Sequence, residues 1–285
     1  MKELEKIAQE LRETLLKKQE ELKLTFEEES HTYTMLDQNG NLSSKFPSVS
    51  KIMKLFYDEF PTEKVALNKS GGDPYEAEKL IQEWAILGKK STDLGSRCHF
   101  YLEEHTINEF GISKELRKPK FDCDAEQIVR SDSMITAGKK YIDLQKERGC
   151  VLVDTEIVLG HPLLGYTGQP DKVWLVTTPS GAPGLLITDW KSNKSKNFQV
   201  TKYTKKMKKP FEDLPDNALG HYNTQLPLYG KLILKMLEGS KFESLPLLGC
   251  IIVLIKDDGE FEEFRVSRKT IHTILEMDMN SYLTS

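Results

Sequence analysis

Apolar residues Leu4, Ile7, Leu11 and Leu15 recur at helical spacing between charged neighbours, which predicts an amphipathic helix running to about residue 24 within an N-terminal segment 1–30. The run His31-Thr32-Tyr33-Thr34-Met35-Leu36 then alternates, and Asp37-Gln38-Asn39-Gly40-Asn41 supplies a turn, so a hairpin follows. Pro47 opens a turn, and Ser48 or Ser50 caps a helix continuing through Phe56. Residues 62–106 read as mostly helical, with a break at Gly71-Gly72-Asp73-Pro74. Around Gly95-Ser96 the pattern reads as a loop that enters a helix carrying His99. Residues 107–124 are polar, with Lys118-Pro119-Lys120 marking a loop, and a further helix is expected over Ala125–Arg148.

The pattern then switches period. Val151–Leu159 reads as one strand, and the apolar runs beside Asp171 and Asp189 as two more, joined by the Pro/Gly/Ser stretch Thr177–Gly184. That loop is long for a hairpin and reads as an insertion. A helix carrying Gln225 and Tyr229 continues to Leu237, with Pro227 expected to kink it or delay its start. Leu247–Lys256 is an apolar strand, Asp257-Asp258-Gly259-Glu260 a turn, Phe261–Val266 a return strand, and a last helix follows. The order implies an α/β or α+β fold with a mixed central sheet, as a single domain over 31–285.

Composition adds limits. A chain of 285 residues with 38% apolar and 29% charged residues can bury one large core. No apolar run is long enough for a membrane span, and the charged N-terminus lacks a signal-peptide core, so no membrane and no secretion signal are expected and the setting is intracellular. Cys98, Cys123, Cys150 and Cys250 form no CxxC pair and read as reduced thiols. Net charge is −4, yet residues 191–209 hold eight lysines, among them Lys194, Lys196, Lys202, Lys205 and Lys206, and no acid. That stripe is either a solvated loop or a path for a phosphate backbone.

The stripe leaves a chemically pointed hairpin. Asp171 lies in Gly168-Gln169-Pro170-Asp171-Lys172, and Asp189 and Lys191 in Thr188-Asp189-Trp190-Lys191. Two carboxylates suit Mg²⁺ or Mn²⁺, and the backbone carbonyl of Trp190 adds another oxygen. Lys191 leaves the same strand face as Asp189, where it can orient a water or stabilise charge on a pentavalent phosphate. Such a set suits metal-assisted phosphodiester cleavage. Glu156 on the preceding strand is either a third carboxylate or a surface charge. A lone His99 near a helix start is more often structural than a ligand. Gln225 and Tyr229, four apart, share a helix face that could meet phosphate. Trp174, Trp190, Phe198 and Tyr203 are the aromatic candidates for stacking on bases, with Trp174 the better fit to a core.

Together these motifs resemble the PD-(D/E)XK nucleases, and within them the RecB-like exonuclease group. Gly95…His99, Gly168…Asp171, Asp189-x-Lys191 and Gln225…Tyr229 stand in that group's order. The stretch Tyr33…Gly40…Pro47-Ser48-Val49-Ser50 is also similar to mitochondrial genome maintenance exonucleases and their phage relatives. The resemblance spans about residues 31–256. It implies a restriction-endonuclease-like core with a helical insertion at about 62–148, and a metal-dependent DNase acting on single-stranded or end-bearing DNA in replication, repair or recombination. By the same resemblance Asp171 and Asp189 are metal ligands and catalytic, Lys191 is catalytic, His99 is a metal ligand, and Gln225 and Tyr229 support DNA binding. The iron–sulfur subgroup carries a C-terminal cysteine trio, of which only Cys250 is present, so no cluster is expected. A structure-specific endonuclease on the same fold and a non-catalytic nucleic-acid-binding protein are the competing readings.

Overall fold

The computed structural model describes residues 2–116 and 119–283; Lys118 of the expected loop lies outside them. The chain begins with α1 (Lys2–Glu21), β1 (Thr25–Glu27), β2 (Thr32–Leu36), β3 (Leu42–Ser43) and α2 (Val49–Ile52). Next come α3 (Thr62–Lys69), α4 (Pro74–Phe110) and α5 (Ala125–Glu147), then β4 (Val151–Thr155), β5 (Leu159–His161), β6 (Tyr166–Gly168), β7 (Lys172–Thr177) and β8 (Pro183–Lys191). The remainder is α6 (Ala218–Met236), β9 (Leu247–Ile255), β10 (Phe261–Arg265), α7 (Arg268–Glu276) and α8 (Asn280–Leu283).

The central sheet has five strands in the order β10-β9-β8-β7-β4. Only β8 and β9 run parallel, so the sheet is mixed as expected. The apolar run of β9 follows from its central place. Cys250, Ile252 and Leu254 face one core, while Ile251, Val253 and Ile255 face the other. The first core is closed by Leu11 and Leu15 of α1 and by the apolar face of α6. The second is closed by α4 and α5, where Tyr141 meets Trp190 edge to face at 5.4 Å. Helices therefore cover both faces. α4 and α5 are a layer of the fold, not an appendage, and α1 is continuous with the main core. No described helix is long and apolar enough to cross a membrane.

Several local expectations change. The supposed loop at Gly95-Ser96 lies inside a 37-residue helix. Asp73 caps its start by accepting from the N–H groups of Tyr75 and Glu76, and Gly111 at φ 63° ends it. Gly95 survives mid-helix because α4 passes close to the end of β8 there; a Cβ would lie 3.2 Å from Ser192 Oγ. The expected Val151–Leu159 strand stops at Thr155, where Glu156 adopts φ 47°. Pro227 does not delay α6, which starts at Ala218 under the cap of Asn217. The β7–β8 connection is short, not an insertion, since pairing continues to Thr177 and Pro183 and Thr178 N–H closes onto Ala182 O at 2.8 Å. The Asn-Gly hairpin forms as β2–β3, and β1 adds a third strand that the sequence pattern missed.

Candidate metal centre

The end of β4 and the start of β7 are tied together at one end of the sheet. The Asp171 carbonyl, just before β7, accepts from Thr155 Oγ1 at 2.9 Å and from Glu156 N–H at 3.1 Å. Lys114 Nζ donates to the Thr155 and Glu156 carbonyls at 2.6 and 2.8 Å. Together these bonds hold Glu156 in its left-handed backbone, a strained state for a non-glycine residue. Its carboxylate thereby comes beside that of Asp171, and Gln169 Nε2 donates to Glu156 Oε2 at 3.0 Å. From the middle of α4, His99 Nδ1 reaches to 3.1 Å from Asp171 Oδ1 and 3.7 Å from Glu156 Oε1. His99, Glu156 and Asp171 each offer one donor atom within 4.8 Å of the others. The second Asp171 oxygen accepts from the Trp190 backbone N–H. The Trp190 carbonyl leaves the same strand edge as its N–H.

Asp189 is buried beside this triad, not within it; its Oδ2 contacts Lys191 Nζ. Lys191 lies over the Tyr222 ring at 4.3 Å, and the Tyr222 hydroxyl donates to Asn193 Oδ1 at 2.9 Å. Burial in low dielectric, then the Asp171 charge, raise the Asp189 pKa against the pull of Lys191. Burial also disfavours the Lys191 ammonium, but Asp189 more than compensates and raises its pKa. Burial and Asp171 together push Glu156 up to about 7. Burial alone would lower the His99 pKa, yet Asp171 and Glu156 push it up to about 10. Desolvation works to raise the Asp171 pKa, and His99 and Lys191 override it to hold it low. Asp171 and Glu156 thus favour the charged form of His99. At the start of β7, Lys172 is fully buried, donates to Thr155 Oγ1 at 2.9 Å, and its pKa is lowered to about 8 by burial.

No protein-family model matches the chain, and no curated protein matches it in sequence. Among solved structures it is similar to a protein from Eubacterium rectale provisionally described as an exonuclease, at 13% identity and TM-score 0.41, covering 84% of this chain and 80% of that one. It is also similar to an alkaline exonuclease from Laribacter hongkongensis, at 16% identity and TM-score 0.29, covering 69% of this chain and 84% of that one.

The remaining sequence candidates scatter. Gln225 and Tyr229 are buried and bond each other, Gln225 Nε2 to Tyr229 Oη at 2.9 Å, and Tyr229 also lines the cavity beside His99, Glu156 and Gln169. Tyr229 packs against Gly168, where a Cβ would lie 2.6 Å from its ring, which gives the glycine of Gly168…Asp171 a packing reason. Trp174, Trp190 and Phe198 are buried, because each falls on a core-facing position; only Tyr203 of the four aromatics is exposed, at 81%. Lys194, Lys196, Lys202, Lys205 and Lys206 are exposed. Lys194 joins Lys191 in lining a cavity of about 680 Å³ that reaches His99. Gln169, Lys114 and Thr155 were missed as parts of the site; Gln169 sat inside the quoted motif, whereas nothing in sequence announces the other two.

Filling the triad with a cation must expel protons from His99 and Glu156. Affinity for Mn²⁺ is therefore expected to rise by more than about tenfold between pH 6 and 8, because Glu156 titrates at about 7 and His99 at about 10. Isothermal calorimetry in buffers of different ionisation heat measures both affinity and proton release. A pH-independent affinity would remove His99 and Glu156 from the ligand set.

Proposed function

We propose that this chain is a divalent-metal-dependent deoxyribonuclease of the PD-(D/E)XK type, working as an exonuclease on single-stranded or end-bearing DNA in replication, repair or recombination. The observation that carries the reading is the convergence of His99, Glu156 and Asp171 beside the Asp189–Lys191 pair at one end of the central strands. The donor set fits the ion. Carboxylates and a strand carbonyl suit Mg²⁺ or Mn²⁺, and one imidazole nitrogen, a softer ligand, tilts the choice towards Mn²⁺. The carboxylates that favour a charged His99 would equally favour a bound cation.

A bound ion would neutralise phosphate charge and acidify a water. The residues of the chain do the rest. Gln169 and the Trp190 N–H fix the Glu156 and Asp171 carboxylates, so the ligand oxygens are set before substrate arrives. Lys191, held by Asp189 and the Tyr222 ring, keeps its ammonium at the scissile position, where it holds the attacking water and later faces the pentavalent phosphate. Lys194 and the exposed lysines beyond it guide the backbone towards the site. Their contribution is sequence-independent and weakens steeply with salt.

Linear single-stranded DNA with Mn²⁺ should be shortened from an end, covalently closed circles of the same sequence should survive, and EDTA should stop the reaction. Circle cleavage would replace the exonuclease reading by the endonuclease one. Chelator-resistant cleavage would remove the metal from the mechanism.

A further inference from the structure

A cavity of about 420 Å³ opens on the other side of His99 from the lysine-lined one. Its outer wall is the β1–β2 hairpin, whose antiparallel register sets Phe26 opposite Tyr33. Their rings lie 4.5 Å apart between centroids, and the His31 ring is 5.8 Å from Phe26. His31 itself holds φ 49°, an uncommon backbone state for a non-glycine residue, in the turn that delivers its ring. Phe100 of α4 lines the same cavity, and Ser48 supplies a hydroxyl there.

Charge separates the two cavities. The lysine-lined one includes Lys191, Lys194, Lys90 and Arg130 against Asp124, which pairs with Lys90, and Glu126, and the surplus of cations suits phosphate. The aromatic one is lined by Glu28, Glu103 and Glu156, with His99 shared between the two cavities. Away from the metal ligands His99 and Glu156, its aromatic faces and hydroxyl groups favour a flat neutral ring. A base seated between the hairpin and α4 has also left any pairing partner outside.

We propose that this cavity is a subsite for one unpaired nucleobase, adjacent to the phosphate held at the metal centre. It rests on the nuclease reading above and deepens it. The strand would run with its backbone on the Lys191–Lys194 side and the base turned onto Phe26, Tyr33 and His31.

The test compares two single strands of equal length, one carrying bases and one made wholly of abasic tetrahydrofuran units, with binding measured by fluorescence anisotropy in Ca²⁺. The wild-type protein is expected to prefer the base-bearing strand by about 5- to 150-fold, the range for stacking one base on an aromatic side chain. Phe26→Leu and Tyr33→Leu keep apolar bulk and remove the ring, so each should lower that preference several-fold while leaving abasic-strand affinity unchanged. His31→Ala, in the exposed turn, tests the same wall without touching the hairpin pairing. An unchanged preference in all three variants overturns the subsite, as does a wild-type protein that binds both strands equally or neither. Mn²⁺-dependent cleavage of the abasic strand reports on the metal centre separately, so the nuclease reading can fail or stand on its own.

Discussion

Lys191→Ala is expected to lower metal-dependent cleavage by about 10³-fold or more, with linear single-stranded DNA still bound. The size follows from two roles lost at once. One preorganised donor facing developing charge is worth about 10²–10³ in rate, and positioning the attacking water adds to it. The side chain is also the partner of buried Asp189, so its removal leaves a carboxylate that escapes isolation by taking up a proton. Asp189 stands outside the His99–Glu156–Asp171 cluster, and the loss should therefore fall on kcat with Mn²⁺ affinity changed by less than about tenfold. Lys191→Arg keeps the charge but carries a planar fork on a longer stem, and partial activity is expected. Single-turnover cleavage together with metal titration separates these effects. A Lys191→Ala protein that cuts within tenfold of wild type would end the assignment of Lys191 to the chemistry.

What the sequence could announce is local. The alternating and continuous apolar runs of β7, β8 and β9 mark a buried sheet, since each must satisfy two faces. The shared face of Asp189 and Lys191 was legible for the same reason: in a strand, spacing dictates face. Other parts of the site depend on contacts between distant segments. Glu156 is brought to Asp171 by a backbone state that Lys114 and Thr155 maintain, and no local pattern encodes that. Gly95 reads as a break but marks where α4 approaches Ser192. Trp190 sits next to an active-site candidate and yet its side chain points into the second core, where Tyr141 meets it. Phe26 of the aromatic wall comes from β1, a strand of three residues too short to show a period.

The second large effect is expected from Asp171→Asn, which should weaken Mn²⁺ binding by about 10²-fold or more and bring cleavage close to background. Asp171 performs three tasks that an amide cannot combine. One oxygen faces His99, the other accepts from the Trp190 N–H at the end of β8, and the charge itself holds His99 protonated. An asparagine side chain has one acceptor oxygen and turns an NH₂ group towards the other neighbour, so either His99 or Trp190 faces a donor. The backbone carbonyl keeps its bonds to Thr155 and Glu156, and the edge of the sheet should stay folded. With the carboxylate gone, burial becomes the main influence on His99, and its pKa should fall from about 10 towards or below its ordinary value. NMR titration of the His99 imidazole reads that shift without any substrate. Glu156→Gln removes a weaker, partly protonated ligand at neutral pH and should therefore cost less in metal affinity than Asp171→Asn. If the order were reversed, or if Asp171→Asn bound Mn²⁺ as wild type does, the ion would have to be centred on Glu156 and His99, and the catalytic geometry around Lys191 would need to be rebuilt from there.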